Sequence, residues 1–313
     1  MSATPQPESA AVRRLTVTDI ARMHADGERI PMLTAYDYPT AKILDEAGIP
    51  LLLVGDSLGR AMLGYENELS VTMDDMLHHA AAVTRGARHA VVVGDMPFLS
   101  YATPEDALRN AGKFVHDASV QAVKVEGGVR SARIIETLVK AGIPVMSHIG
   151  LTPQSANAIG KFRVQGKTRD QARALLHDAL AVQEAGAFSV VLELVPEQLA
   201  TAITERLGIP TIGIGAGAGC SGQVQIITDL LGLETWQPKH AKPYVNLRET
   251  IMGAVQAYAA DVAAGTFPGP EQTVRMDDEV LDEVLGRSPL DAAGAKRVHG
   301  DMPAGGIPLD RDL

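Results

Sequence analysis

Short aliphatic runs recur along the chain and alternate with longer amphipathic segments. The runs predict eight buried strands, at 30–35, 50–54, 90–94, 121–125, 143–147, 187–192, 209–214 and 223–227. Between most of them apolar residues recur at helical spacing, as in TMDDMLHHAAAVTRGA at 72–87 and TPEDALRNAGKFVHDA at 103–118. Strands that alternate with helices are typical of βαβ units and a parallel sheet.

One phrase marks the passage from helix to strand at four places. It reads DEAGIPLLLV at 45–54, VKAGIPVMSH at 139–148, ERLGIPTIGI at 205–214 and, more loosely, QEAGAFSVVL at 183–192. In each copy an amphipathic segment stops at a glycine that can adopt the left-handed cap conformation, and an aliphatic run follows. At the other end of the helices, Thr72 and Thr103 precede acidic first turns and are predicted N-caps.

Eight strand-helix units in 313 residues favour a (β/α)8 TIM barrel, in the α/β class, over a doubly wound sheet. We expect a disordered N-terminal extension at 1–14, the catalytic barrel at 15–265, and a C-terminal tail at 266–313 that is extended or disordered. The pattern at 247–263 predicts a closing helix, and a short helix is predicted near 277–286. The tail could equally cross to a neighbouring subunit.

The composition is 46% hydrophobic but only 4% aromatic, so Val, Ile, Leu and Ala must fill the interior, as they do in parallel barrels. A net charge of −10 argues against nucleic acid and anionic membranes as partners and favours a small-molecule substrate. The single cysteine, Cys220, excludes an internal disulfide and a cysteine-based zinc site.

Targeting signals are not found in the sequence. The first fourteen residues, MSATPQPESAAVRR, lack the apolar core of a signal peptide. No stretch reaches the roughly 18 uninterrupted apolar residues of a membrane helix. The sequence therefore predicts a cytoplasmic protein.

Side chains capable of chemistry follow the aliphatic runs. In a parallel barrel the carboxyl ends of all strands meet at one mouth, so these residues become neighbours in space. From the second strand to the sixth they are Asp56 with Ser57, Asp95, Lys124 with Glu126, His148, and Glu193. The spacing predicts one cluster at the mouth.

Four carboxylates in one partly dry mouth would repel one another strongly, and a divalent cation would relieve that repulsion. Oxygen ligands, without cysteine and without a helical His-Glu-x-x-His, point to Mg²⁺ rather than zinc. Mg²⁺ would keep water ligands that a chelating substrate can displace.

Each of these residues also has a structural interpretation. Asp56 could cap the next helix, although acids at three successive strand ends weigh against capping alone. Lys124 and Glu126 alternate on one strand and could form an ion pair inside the barrel. His148 could be a hydrogen-bonded core histidine. Glu193 interrupts VVLELV, where an unpaired buried acid is costly, so it is either paired or functional.

Eight stretches carry a resemblance to a known family, in unbroken order over about 15–270. They are TAYDYPTAK, LLVGDSLG, GDMPFLSYATPEDAL, VKVEGG, HIGLTPQS, KFRVQGKT, LELVP and IGIGAG. With these stretches the sequence closely resembles the 3-methyl-2-oxobutanoate hydroxymethyltransferase (ketopantoate hydroxymethyltransferase) family.

The resemblance implies an Mg²⁺-dependent barrel enzyme with one Mg²⁺ per subunit. It implies hydroxymethyl transfer from the co-substrate 5,10-methylenetetrahydrofolate to 3-methyl-2-oxobutanoate, which gives 2-dehydropantoate for pantothenate and coenzyme A synthesis. The implied metal residues are Asp56, Asp95 and Glu126, and the implied proton acceptor is Glu193. The implied substrate contacts are Asp56, Ser57, Asp95, Lys124 and His148. Members are similar in forming rings, commonly homodecamers.

Two other functions compete with this one. The first is an Mg²⁺-dependent 2-oxo-acid C–C lyase or a phosphoenolpyruvate mutase-like barrel, which commonly carries a cysteine after the fourth strand, where this chain has KVEGG. The second is a catalytically silent barrel that serves in assembly. A scaffold gains nothing from crowded acids, so the mouth residues argue against this second alternative.

Overall fold

The computed structural model describes residues 13–160 and 162–286. Its centre is a closed barrel of eight parallel strands that follow one another around the ring in chain order. The strands are β1 Ile30–Thr34, β2 Leu51–Val54, β3 Val91–Asp95, β4 Ala122–Glu126, β5 Val145–Gly150, β6 Ser189–Glu193, β7 Thr211–Ile214 and β8 Gly222–Gln225. Each overlaps one predicted run, and the (β/α)8 fold is confirmed.

Helices precede the first strand, fill the connections between strands and follow the last one. They are α1 Val17–Ala25, α2 Tyr38–Glu46, α3 Leu58–Ala61, α4 Met73–Gly86, α5 Pro104–His116, α6 Ala132–Lys140, α7 Ala156–Ile159, α8 Arg169–Glu184, α9 Glu197–Thr204, α10 Ile227–Leu231, α11 Leu247–Ala264 and α12 Asp278–Leu285. Among the described helices, none combines the length and the apolar character needed to cross a bilayer.

The predicted helix ends are largely confirmed. Thr72 and Thr103 accept hydrogen bonds from the amides three residues later, as N-caps do. Gly48 and Gly142 adopt the left-handed conformation after α2 and α6, with φ of 81° and 87°. Gly208 is the exception, because it is not among the glycines with positive φ and its amide donates instead to the side chain of Gln183 at 2.6 Å.

The apolar core has two parts. Strand residues on the outward face pack against the helices, as Leu52 and Val92 do. Residues on the inward face fill the barrel itself, as Leu51 and Val91 do, and Ile20 of α1 joins this inner cluster. The inner cluster is aliphatic, as the low aromatic content predicted.

The side chains that point into the barrel change from apolar to polar toward its mouth. On β3 the inward residues are Val91, Val93 and then Asp95, because successive side chains point to opposite faces. The same step occurs on β4, from Ala122 to Lys124. The barrel is therefore packed below and polar at its C-terminal rim, where barrels of this kind carry their active sites.

The chain divides into two compact units at Glu249/Thr250. The second contains most of α11, where the sequence predicted a helix at 247–263, and α12, where it predicted one near 277–286. None of the residues of α11 or α12 is buried. The residues at 1–12 and 287–313 lie outside the described chain, so the extension at 1–14 and the tail at 266–313 stay predictions.

Candidate active site

The closed barrel brings the predicted mouth residues together. Strand pairing sets Asp95 beside Lys124 and Glu126 beside His148. Five of the side chains are almost completely buried, with Asp95 the least exposed at 1%. Glu193 ends β6 and is the most open of the acids, because 16% of its side chain is exposed. Five consecutive strands, β2 to β6, thus supply one buried cluster with an opening at Glu193.

An ion pair between Lys124 and Asp95 lies at the centre of the cluster. Nζ of Lys124 donates to both carboxylate oxygens, at 2.8 and 2.7 Å. Burial by itself would lower the pKa of Lys124, but the charges of Asp95, Glu126 and Asp56 outweigh it and raise this pKa above its usual range. The lysine therefore stays charged. Its partner is Asp95, not Glu126 as the structural interpretation of the sequence allowed.

Asp56 is a buried carboxyl in an environment that disfavours its charged form. Its amide donates to Oδ2 of Asp95 at 3.2 Å. Burial raises the pKa of Asp56 well above its usual range, and the charge of Asp95 raises it further. The capping interpretation does not apply, because α3 begins after Ser57 without a side-chain cap. A buried carboxyl with a raised pKa is typical of a functional site.

His148 lies between two carboxylates. Its Nδ1 is 3.3 Å from Oε1 of Glu126, and its Nε2 is 3.2 Å from Oε2 of Glu193. Neither nitrogen makes an aligned hydrogen bond within the described chain. Burial and the charge of Lys124 lower the pKa of His148, but the two carboxylates raise it more, and the net pKa is above the usual value.

Ser57 belongs to the edge of the site rather than to its centre. Its hydroxyl lies 2.9 Å from the hydroxyl of Tyr36, a fully buried tyrosine just after β1. Burial raises the pKa of Tyr36, so the phenol remains neutral and can donate to Ser57.

Sequence reasoning missed Gln154, which follows β5 and is 5% exposed. Its side-chain Nε2 donates to Oδ2 of Asp56 at 2.8 Å and to the carbonyl of Met96 at 2.9 Å. Its backbone amide donates to Oε2 of Glu126 at 3.1 Å. Tyr101, also missed, donates its hydroxyl to Oε1 of Gln154 at 2.5 Å. The only signal in the sequence was their place in the stretches SYATPEDAL and HIGLTPQS.

A further acid, Glu68, was also missed. It lies in the loop between α3 and α4, is 6% exposed, and has an oxygen 3.9 Å from Nη1 of Arg60. Its other carboxylate oxygen, Oε2, has no hydrogen-bond partner in the described chain. Burial raises the pKa of Glu68, the charge of Arg60 opposes that shift, and the charge of Glu193 adds to it.

The fit of the cluster to a hard cation can be tested on its donor atoms. Within residues 13–160 and 162–286, no three His, Cys, Asp or Glu side chains are arranged to ligate one metal ion. Mg²⁺ does not require such a cage, because it binds through one or two carboxylates and keeps water or substrate oxygens. Glu126 contributes a buried oxygen, Oε1, without a hydrogen-bond partner in the described chain. Glu126 and Asp56 thus offer oxygen donors of the kind Mg²⁺ prefers, while both oxygens of Asp95 accept from Lys124.

A cleft of about 390 Å³ leads away from the cluster on the side of Glu126. Tyr101 and Gln154 form its inner wall, and Arg130 lies farther out with Nη2 2.9 Å from the hydroxyl of Ser155. Phe98 is 41% exposed along this cleft. The volume of the cleft lies in the range of small-molecule sites.

A family described as ketopantoate hydroxymethyltransferase matches residues 14–270 of the chain. The chain belongs to this family. Proteins named 3-methyl-2-oxobutanoate hydroxymethyltransferase are 60% identical to it in Chloroflexus aurantiacus and 53% in Dehalococcoides mccartyi. Each similarity covers 87% of this chain and 97% of the relative. The family resemblance and the expectation of an enzyme are both confirmed.

Solved structures share the fold with this hydroxymethyltransferase family member. The phosphoenolpyruvate phosphomutase of Streptomyces platensis subsp. rosaceus matches it with a TM-score of 0.55 over 87% of this chain and 96% of that one. The two sequences are only 15% identical, so this likeness concerns the barrel alone. The identity to the hydroxymethyltransferases favours their family over the lyase and mutase alternative.

Proposed function

We propose that this family member transfers a hydroxymethyl group from 5,10-methylenetetrahydrofolate to C3 of 3-methyl-2-oxobutanoate, which gives 2-dehydropantoate. The observation that carries the proposal is the position of Glu193. It is the partly open acid of the mouth, 3.2 Å from His148, beside a buried cluster that contains a charged lysine. A proton acceptor beside fixed positive charge is what the removal of a proton next to a keto group requires.

Glu193 accepts the proton from C3 of the oxo acid. Removal of this proton moves negative charge onto the C2 oxygen, which is costly unless positive charge lies nearby. Lys124 supplies a permanent charge there, because the acids around it keep it protonated. Nε2 of His148 lies 3.2 Å from Oε2 of Glu193, so the imidazole is a direct neighbour of the proposed base.

Asp56, Asp95 and Glu126 would hold Mg²⁺ at this mouth, with waters or substrate oxygens completing its coordination. When bound, Mg²⁺ supplies a Lewis acid that polarises the keto oxygen and a template for the 2-oxo acid. Ser57, held by Tyr36, offers a hydroxyl to the substrate at the rim. The three acids are predicted metal residues, and Asp56, Ser57, Asp95, Lys124 and His148 are predicted substrate contacts.

The folate co-substrate would occupy the cleft beside Glu126. Phe98 offers an aromatic face to a flat ring, and Arg130 offers a guanidinium to a carboxylate. Overall, C3 loses its proton and forms a bond to the one-carbon unit, while both bonds from that unit to N5 and N10 of the folate break. Water supplies the hydroxyl group, and tetrahydrofolate leaves with a hydrogen on each of the two nitrogens. The product leads to pantothenate and coenzyme A synthesis.

The remaining expectations belong to the same proposal. The net charge of −10 supports small-molecule substrates rather than nucleic acid or anionic membranes. A cytoplasmic location and a homo-oligomer, a decamer in the resemblance, stay predictions. Light scattering of the purified full chain measures the oligomer directly.

Proton exchange at C3 tests the proposed function. In D₂O with Mg²⁺, the wild-type chain should exchange the C3 proton of 3-methyl-2-oxobutanoate, and the Glu193→Gln variant should not. Glu205→Gln, at an exposed position on the outside of the barrel, is the matched control and should exchange normally. Undiminished exchange by Glu193→Gln would remove Glu193 from the role of base. Exchange by the wild type without product on addition of methylenetetrahydrofolate would favour the lyase alternative.

A further inference from the structure

Gln154 uses every hydrogen of its side-chain amide inside the site. The carbonyl of Met96 can only accept, so the group facing it is the NH₂ of Gln154, whose second hydrogen reaches Oδ2 of Asp56. On the other side, the hydroxyl of Tyr101 accepts from the amide of Glu126 at 3.3 Å and so donates its own hydrogen to Oε1 of Gln154. The amide orientation is thus fixed by its partners.

The same residue connects the carboxylates that come from two different strands. Its side chain holds Asp56, after β2, while its backbone amide holds Oε2 of Glu126, at the end of β4. Oδ2 of Asp56 and Oε2 of Glu126 are occupied in this way. Oε1 of Glu126 remains without a hydrogen-bond partner in the described chain. Gln154 therefore hydrogen-bonds one oxygen of each carboxylate and leaves Oδ1 of Asp56 and Oε1 of Glu126 without a bond from it.

The chemistry of the amide suits this position. Gln154 is neutral, so it orients Asp56 without cancelling the negative charge that attracts a cation. A cation from Lys or Arg at the same place would compete with a metal ion. Carboxylates that ligate metals are in turn hydrogen-bonded by neighbouring groups, which fix their direction.

We infer that Gln154, braced by Tyr101, is a positioning residue that presents Asp56 and Glu126 to a divalent cation. The inference rests on the proposed metal site and deepens it. Neither residue need touch the reacting carbon, because each acts through the two acids. Loss of the amide should weaken binding of the cation before any substrate is present.

The experiment measures binding of Mn²⁺ alone, by electron paramagnetic resonance, to the full chain without substrates. Gln154→Met keeps the side-chain length and removes all three side-chain hydrogen bonds. It should bind Mn²⁺ about 10- to 100-fold more weakly, the usual effect of removing a group that orients a metal ligand. Tyr101→Phe should also weaken Mn²⁺ binding, but by a smaller factor. This variant loses only the hydrogen bond from Tyr101 to Gln154 and keeps the bonds from Gln154 to the acids.

Gln121→Met is the matched control. Gln121 also makes three side-chain hydrogen bonds, with the amide of Val92, with Arg14 and with the carbonyl of Ser119, just before β4 begins and so away from the mouth. This variant should lose similar stability, as measured by its thermal midpoint, yet bind Mn²⁺ as the wild type does. Equal weakening in Gln121→Met would mean that a general loss of stability explains the result, and would overturn the inference.

Two further outcomes separate this inference from the proposed function. If the wild type binds Mn²⁺ and folded Gln154→Met binds it within about twofold of the wild type, the role of Gln154 is wrong and the metal site stands. If Gln154→Met does not fold, Tyr101→Phe decides, and unchanged binding in that variant overturns the inference. If the wild-type chain binds no Mn²⁺, both the proposed metal site and the proposed role of Gln154 are wrong.

Discussion

Nζ of Lys124 lies within hydrogen-bond distance of both carboxylate oxygens of Asp95, at 2.8 and 2.7 Å, and both side chains are buried. The two residues are direct neighbours in the strand register of β3 and β4. Each charge depends on the other, because removal of one leaves its partner buried and uncompensated.

The variant Lys124→Met should therefore lose both stability and activity. Breaking a buried pair from one side costs about 3–5 kcal/mol in the free energy of unfolding. Chemical denaturation of wild type and variant measures this difference, and Lys113→Met, at an exposed position of α5, is the control. A Lys124→Met variant as stable as the control would show that the charge of Asp95 is relieved in another way.

The variant Asp56→Asn should be more stable than the wild type at neutral pH when no divalent metal is added. Burial and the charge of Asp95 raise the pKa of Asp56 in the folded chain. A carboxyl with a raised pKa contributes stability below its unfolded pKa, about 3.9, and this contribution is lost as the pH rises through the folded pKa. The stability advantage of Asp56→Asn over the wild type should thus grow as the pH rises from the unfolded pKa through the folded pKa of Asp56.

The difference in stability is measured from the denaturation midpoints of wild type and Asp56→Asn between about pH 5 and 8. Asp26→Asn, at an exposed position, is the control. Added Mg²⁺ should stabilise the wild type and reduce the difference, because a ligand that binds the folded state alone stabilises it. An Asp56→Asn variant that is less stable than wild type at the upper pH would show that the folded chain does not disfavour the charged form of Asp56.

The variant Arg130→Met should weaken use of the folate co-substrate and leave the oxo acid unaffected. Removal of a hydrogen bond to a charged group costs enough for about a tenfold rise in the Michaelis constant for folate. Initial-rate kinetics with each substrate varied in turn measure both Michaelis constants. Arg109→Met, on the exposed face of α5, is the control. If only the Michaelis constant for the oxo acid rises, the cleft receives the oxo acid and not folate.

Much of the site could be predicted because it follows from strand periodicity. Once the aliphatic runs are recognised as parallel strands, the residues at their ends must meet at one rim. Asp95, Glu126 and Glu193 each end a strand, and His148 lies near the end of β5. No knowledge of loop conformation was needed to bring these four together.

The pairing of Lys124 could not be predicted in the same way. Lys124 and Glu126 lie two residues apart on β4, and a strand rises about 3.3 Å per residue, so their side chains are separated along the strand. Asp95 lies directly across the ladder from Lys124. Only the register between β3 and β4, which depends on the closed ring, reveals this partner.

Gln154 and Tyr101 lie outside the strands, and their contacts depend on loop geometry. Gln154 lies four residues after the end of β5, in a short turn with no strand or α-helix periodicity. A buried acid at a strand end must be paired or functional, so it stands out in the sequence. A neutral glutamine gives no comparable signal. Loops over a rigid scaffold are where such groups concentrate.

The strands that carry the central acids are neighbours in the ring. All the acids at the centre of the cluster come from one continuous part of the chain, from Asp56 after β2 to Glu193 on β6, while β7, β8 and β1 complete the circle. That part could be exchanged as a block between related barrels without separating the acids from one another. Chimeric proteins could therefore keep the chemistry of one parent and take the closing strands of another.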